Sequence, residues 1–374
     1  MAGSRNKQAH ARPCLTHTVS LLMMTTASTS AHPAPIHLAS VSDLPRTYRA
    51  ILLDQFGCLH DGRDPLPGAV AAVRALAATG ARLVILSNSS RRAGGALAKL
   101  AGLGFDPACF EGALTSGEVA HGRLAQPRPA GGDGPGGCVP SWRGLGTRCL
   151  HITWAGRGGV SLEGLGLTVV GEGDDELDFI LAHGTEGVGA PGAGDDPARP
   201  PPTPRRLEEI RSLLGCAARS RSPPPPLLCA NPDLVTVDGG ALVTMPGTLA
   251  AWYEAEGGAC VRLGKPAPPI YQAALALLGG GIAPGEVLAV GDSLEHDIAG
   301  ASAAGMDSLL IGGGIDGARL GLPSGAAAAA AHLAAAAAGP PRAAPTVDPA
   351  RLGALLAGRP AGQVPTYVMD YLMV

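Results

Sequence analysis

The chain has 374 residues with a formal net charge of −3, 3% aromatic and 16% charged residues, and 55 Gly plus 34 Pro, about a quarter of the whole. That balance leaves no electrostatic footprint for nucleic acid or an anionic membrane surface, and no stretch reaches the roughly 18 apolar residues of a membrane-spanning helix. The eight cysteines form no Cys-x-x-Cys pair, so neither a zinc site nor a redox pair is indicated and a reduced compartment is expected. Only three lysines occur, at 7, 99 and 265, so arginine dominates the basic residues. At about 100–200 residues per domain, the length accommodates two domains plus extra loops.

In chain order, residues 1–42 contain no acidic residue and are rich in Ser, Thr and Ala. This fits an organellar transit peptide, for chloroplast or mitochondrion, or a plain extension of a cytoplasmic protein. Order is then expected as strand (48–54, YRAILLD), helix (68–79), strand (81–86, ARLVIL) and helix (93–103). Short continuous apolar strands alternating with helices predict an α/β fold with a parallel sheet. Ligands of such sheets bind beyond the carboxyl ends of the strands, where Asp54 and Ser87 fall.

The middle predicts further strands at 148–152, 167–170, 178–182 and 227–230, separated by Gly/Pro-rich loops at 121–147, 187–204 and 223–226. The last third returns to helix (270–278), strand (287–290), helix (297–304) and strand (308–311). A low-complexity segment at 312–345 follows, then an apolar tail at 365–374 suited to docking. Residues 312–317 match G-x-G-x-x-G, but no strand–helix unit follows to make a dinucleotide site.

Four segments place polar groups at strand ends or helix starts: Asp54 in ILLDQFGCLHDG, Ser87 in LVILSNSSRR, Lys265 in RLGKPAPPIY, and Asp292 with Asp297 in VLAVGDSLEHDIAGA. Together they supply a carboxylate nucleophile, a hydroxyl, a fixed cation and a second carboxylate able to hold Mg²⁺. Displacement at phosphorus needs that equipment, because positioning and charge neutralisation carry most of its catalysis.

In these motifs, their order and their spacing of 33, 178 and 27 residues, the sequence resembles the haloacid dehalogenase (HAD) superfamily, class IIA branch. The resemblance covers roughly 43–312 and 365–372, with LTSGE at 114–118 and CANPDL at 229–234 as further landmarks. It implies a Rossmannoid parallel-sheet core from 43–115 and 249–374, with an α/β (C2-type) cap inserted at 116–248. By resemblance, Asp54 attacks phosphorus, Ser87 and Lys265 hold the phosphoryl oxygens, and Asp54, Asp292 and the Phe56 carbonyl bind Mg²⁺. Asp297 supports Lys265 or a metal water. Asn88 is a phosphate-contact or helix-capping candidate, and Asn231 and Asp233 are substrate-contact candidates on the cap. The implied substrate is a small phosphorylated metabolite, with no nucleic acid or membrane partner and a homo-oligomer left open.

One position departs from the pattern. The family's phosphatases place an aspartate two residues after the nucleophile as general acid and base, and this chain has Phe56 there. General acid–base help is worth about 10²–10⁴-fold, so turnover on poor leaving groups is expected to be weak unless His60 or Asp61 substitutes. A weakly active or inactive member kept for ligand binding or regulation, or displacement at carbon as in dehalogenases, are the alternatives.

Overall fold

The computed structural model describes residues 33–126, 145–156, 160–190, 192–193, 200–238, 241–338 and 347–374. Seven parallel strands form the first sheet, in the order Phe110–Thr115, Arg82–Ser87, Ala50–Leu53, Val287–Gly291, Asp307–Ile311, Tyr367–Met369 and Ile36–His37. The inner strands are buried on both faces, which is why they read as unbroken apolar runs. Ile51 and Leu53 join one core cluster, with Val73 and Ile85, while Ala50 and Leu52 join the other, with Val84 and Ile270. The pleat thus divides four consecutive apolar residues between two layers of helices.

From Ala50–Leu53 the chain first moves to one side, to Arg82–Ser87, and much later to the other, to Val287–Gly291. This reversal is the switch point of a doubly wound sheet, and a crevice opens there beyond the carboxyl ends of the strands. Asp54 and Asp292 each follow one of the two adjacent strands. The Asp54 amide continues the ladder by donating to the Val290 carbonyl at 2.9 Å.

The second sheet runs Thr203–Pro204, Gly187–Val188, Arg148–Thr153, Phe179–Ala182, Leu227–Cys229 and Cys260–Arg262, with Thr168–Val169 beside Arg148–Thr153 and Gly192–Ala193 beyond it. A separate antiparallel pair, Val235–Asp238 with Ala241–Thr244, follows the strand Leu227–Cys229. Helices Leu207–Arg219 and Pro246–Ala255 cover one face of the second sheet through Ile210, Leu214, Leu249 and Tyr253.

Two expected boundaries shift. The resemblance implies that the core resumes at 249, which would take in most of helix Pro246–Ala255 and strand Cys260–Arg262. They complete the inserted sheet instead, because Cys260–Arg262 pairs in parallel with Leu227–Cys229 and the helix packs its apolar side on Ile210 and Leu214. At the other end, Ile36–His37 pairs with Tyr367–Met369, and Leu38 and Val41 are buried, so the core begins before residue 43. Residues 1–32 of the expected extension, and 127–144, lie outside the described residues. Part of the low-complexity segment is helical, at Gly317–Leu320 and Ala326–Ala338, and Leu320, Leu322 and Ala329 pack with Tyr371. Residues 339–346 also lie outside the described residues. Among the described residues no helix is long and apolar enough to cross a membrane.

Candidate active site

The structure brings together Asp54, Lys265 and Asp297, which are far apart in the chain. Lys265 Nζ donates to Asp54 Oδ1 at 2.7 Å and to Asp297 Oδ1 at 2.6 Å, and its side chain is 3% exposed. Asp297 Oδ2 accepts at 3.1 Å from the amide of Ser293, the residue before the turn Leu294–Ile298, which fixes the Asp297 rotamer. Asn88 places the lysine. Its Oδ1 accepts from the Lys265 amide at 2.7 Å, and its Nδ2 donates to the Lys265 carbonyl at 3.2 Å and to Asp233 Oδ1 at 2.7 Å. Ser87 is buried at the end of its strand and borders the same cavity.

Burial raises the proton affinity of Asp54; Lys265 opposes this, Asp297 adds to it, and the net result is a pKa of about 7. Asp292 is pushed well above the usual carboxylate range by burial and by the charges of Asp54 and Asp297. Burial disfavours the Lys265 cation, but Asp297 and Asp54 more than compensate and keep it protonated.

A divalent cation fits this arrangement. Ligand atoms of Asp54, Asp292 and Cys58 lie within 4.8 Å of one another. The Cys58 thiol is fully buried and its pKa is raised well above normal by burial and the nearby carboxylates, so it remains protonated and the two carboxylates are the available donors. Lys265 is one cation beside the buried carboxylates of Asp54 and Asp297, with the half-buried Asp292 close by, which leaves negative charge for a metal to neutralise. The loop at Phe56 and Gly57 wraps this spot. Gly57 has φ +75°, and a Cβ there would fall 1.9 Å from Asp292 Oδ2, so only glycine allows the approach. The Ile315 amide donates to the same Asp292 Oδ2 at 2.8 Å. The Gly-rich segment at 312–317 therefore shapes the acidic site.

A cavity of about 780 Å³ lies over these groups, bordered by the first sheet's loops and by Trp154, Ser161, Asn231, Asp233 and Met245 from the inserted domain. Trp154 Nε1 donates to Ser90 Oγ at 3.0 Å across the junction. Asn231 and Asp233 border the cavity, and both are engaged. Asn231 Oδ1 accepts from the Asp233 amide at 3.0 Å in a local turn, and Asp233 Oδ1 meets Asn88 and, at 3.1 Å, His296 Nδ1.

Neither substitute for the missing acid is suited to the task. His60 is fully buried, its Nδ1 accepts from the Gly62 amide at 3.0 Å, and burial pulls its pKa down to about 4. Its ring stands edge-on to Phe56 at 4.6 Å, outside the residues that border the cavity. Asp61 borders the cavity but accepts amides of Arg63, Asp64 and Ala326 at 2.9 Å each; these outweigh its burial and hold it below its normal pKa, ionised at neutral pH. Sequence reasoning missed His296, although it lies inside a quoted motif. Its partner is 63 residues away and no local pattern links them.

A parallel sheet with paired acids at its switch point, a buried lysine between acids, and an inserted domain over the crevice define a capped α/β hydrolase. Residues 51–135 match the sequence model of haloacid dehalogenase-like hydrolases, and residues 262–337 match a HAD-hydrolase-like model. Rattus norvegicus chronophin is 30% identical over 276 residues, covering 73% of this chain and 79% of chronophin. A solved haloacid dehalogenase-like hydrolase from Brucella suis 1330 is 29% identical with a TM-score of 0.56, covering 74% of this chain and 90% of that one. A possible sugar phosphatase from Cytophaga hutchinsonii shares the fold, at 18% identity and a TM-score of 0.58, over 91% and 99% of the two chains. The chain belongs to the haloacid dehalogenase-like hydrolases.

Proposed function

We propose that the protein is a Mg²⁺-dependent phosphatase of small phosphate monoesters that works through an aspartyl-phosphate on Asp54. The observation that carries the reading is Lys265, bridging Asp54 and Asp297 at 2.7 and 2.6 Å beside Asp292, at the carboxyl ends of the switch-point strands. The relatives add support, since a name such as possible sugar phosphatase describes chemistry of this kind for a protein of the same fold.

In this reading Lys265 occupies Asp54 Oδ1 and orients the carboxylate, leaving Oδ2 to attack phosphorus. The Lys265 ammonium and the Ser87 hydroxyl take the phosphoryl oxygens; removing one such donor costs about 10²–10³ in turnover. Asp54, Asp292 and the Phe56 carbonyl would hold Mg²⁺, which when bound supplies charge neutralisation at the phosphoryl group. The inserted domain closes the cavity around the ester and limits bulk water. Water then cleaves the aspartyl-phosphate, returning Asp54 and releasing phosphate.

The test is turnover of 4-nitrophenyl phosphate by wild type and Asp54→Asn, with Mg²⁺ and with chelator. Wild type is expected to be active only with the metal and Asp54→Asn to be inactive. Full activity of Asp54→Asn would show the nucleophile to be wrong.

A further inference from the structure

An alkyl alcohol leaves phosphorus as a strong base and needs a proton as the P–O bond breaks. Phe56, His60 and Asp61 do not provide one. Among the described residues that border the cavity with Asp54, His296 carries the one imidazole. It lies on the turn Leu294–Ile298, one position before Asp297, and its side chain is 27% exposed towards the cavity.

Its orientation is fixed from the inserted domain. His296 Nδ1 is 3.1 Å from Asp233 Oδ1, the oxygen that also accepts from Asn88 Nδ2 at 2.7 Å. Asn88 in turn holds the backbone of Lys265. The imidazole and the phosphate-binding lysine therefore share one brace. With Nδ1–H given to Asp233, Nε2 is left without a protein hydrogen bond among the described residues. A carboxylate that orients an imidazole and stabilises its protonated form is the arrangement of a general acid–base dyad.

We propose that His296 is the general acid and base of this enzyme, in place of the residue that Phe56 removes, with Asp233 as its positioning residue. The proposal rests on the phosphomonoesterase reading. In the first half-reaction Asp54 Oδ2 bonds to phosphorus, the bond from phosphorus to the ester oxygen breaks, and that oxygen takes the Nε2 proton of imidazolium and leaves as the alcohol. In the second, neutral His296 takes a proton from the attacking water, the bond from phosphorus to Asp54 breaks, phosphate departs and imidazolium is restored. The groups facing the ring agree with a proton held more tightly than by a free imidazole. Burial lowers its affinity, Asp233 and Asp297 raise it, Lys265 lowers it, and the net direction is upward. Neighbouring Glu295 is engaged with Arg359 at 2.7 Å.

The experiment compares kcat/KM for 4-nitrophenyl phosphate, whose leaving group needs little protonation, with that for 2-glycerol phosphate, whose leaving group does. Wild type, His296→Gln, His296→Asn and Asp233→Asn are assayed with Mg²⁺ across pH, after melting curves establish that each is folded. Expected is a loss at least about 10²-fold larger on glycerol phosphate than on the aryl ester for both His296 variants. The fall of glycerol phosphate turnover at high pH, which marks loss of the imidazolium, should vanish in them. Asp233→Asn should shift selectivity the same way by less, and should lower the His296 pKa read by NMR titration of the imidazole. Equal losses on both esters, or an unchanged alkaline limb, would overturn the role of His296 alone. A wild type inactive on both esters would overturn the phosphatase reading and this one with it.

Discussion

Replacing Lys265 by Met gives the most discriminating measure of how the site is held. The stem is nearly conserved, so the packing change is small, and what disappears is the cation 2.7 Å from Asp54 and 2.6 Å from Asp297. Breaking a buried pair by deleting one partner costs about 3–5 kcal/mol, because the remaining charge has neither water nor counterion. Here the buried carboxylates of Asp54 and Asp297 lose the cation they share, and the half-buried Asp292 loses a nearby positive charge. They can escape the cost by taking up protons, and this sets the sign with pH. Asp54 and Asp292 already bind protons more tightly folded than unfolded, and without Lys265 more tightly still. A raised carboxylate pKa leaves stability unaffected below the unfolded value of 3.8 and lowers it as pH climbs from there through the folded pKa. Urea unfolding of wild type and Lys265→Met in chelator, at pH 5.5 and pH 8, should therefore show the full loss of about 3–5 kcal/mol at pH 8 and a clearly smaller one at pH 5.5. A loss below about 1 kcal/mol at pH 8, the size of an exposed pair, or one independent of pH, would refute the reasoning.

Two further expectations concern the acidic site. Mg²⁺ at about 100 times its dissociation constant should stabilise the protein by about 2.7 kcal/mol, read as a rise in melting temperature. Asp292→Asn should abolish that rise while increasing metal-free stability, since it removes one of the mutually repelling buried charges; an unchanged Mg²⁺ response would mean that Asp292 is not a ligand. Gly57→Ala places a methyl 1.9 Å from Asp292 Oδ2 at a φ of +75°. It should cost at least about 1–2 kcal/mol from the backbone alone and weaken the Mg²⁺ response. Wild-type stability and activity in this variant would contradict the close approach described.

The sequence by itself determined the inner strands, because a strand buried on both faces must be apolar at every position: the runs at 50–53, 83–86 and 287–290 needed no tertiary information to be read. It also determined which groups stand at the strand ends, Asp54, Ser87 and Asp292, since a polar residue closing an apolar run lies where the strand leaves the core. Lys265 was legible for its rarity and its place in the motif order. Only the tertiary structure decided matters that depend on partners distant in the chain. Ile36–His37 is a two-residue strand with no signal of its own, and it exists because Tyr367–Met369 offers an edge. The inserted domain extends to Arg262 because Cys260–Arg262 finds Leu227–Cys229 there, a pairing that hydrophobic pattern cannot distinguish from membership of the other sheet. The site followed the same rule. Residue type and spacing identify which groups carry charge, but whether His60 is buried, whether Asp61 is already satisfied by backbone amides, and whether His296 meets Asp233 are set by loops converging over the switch point.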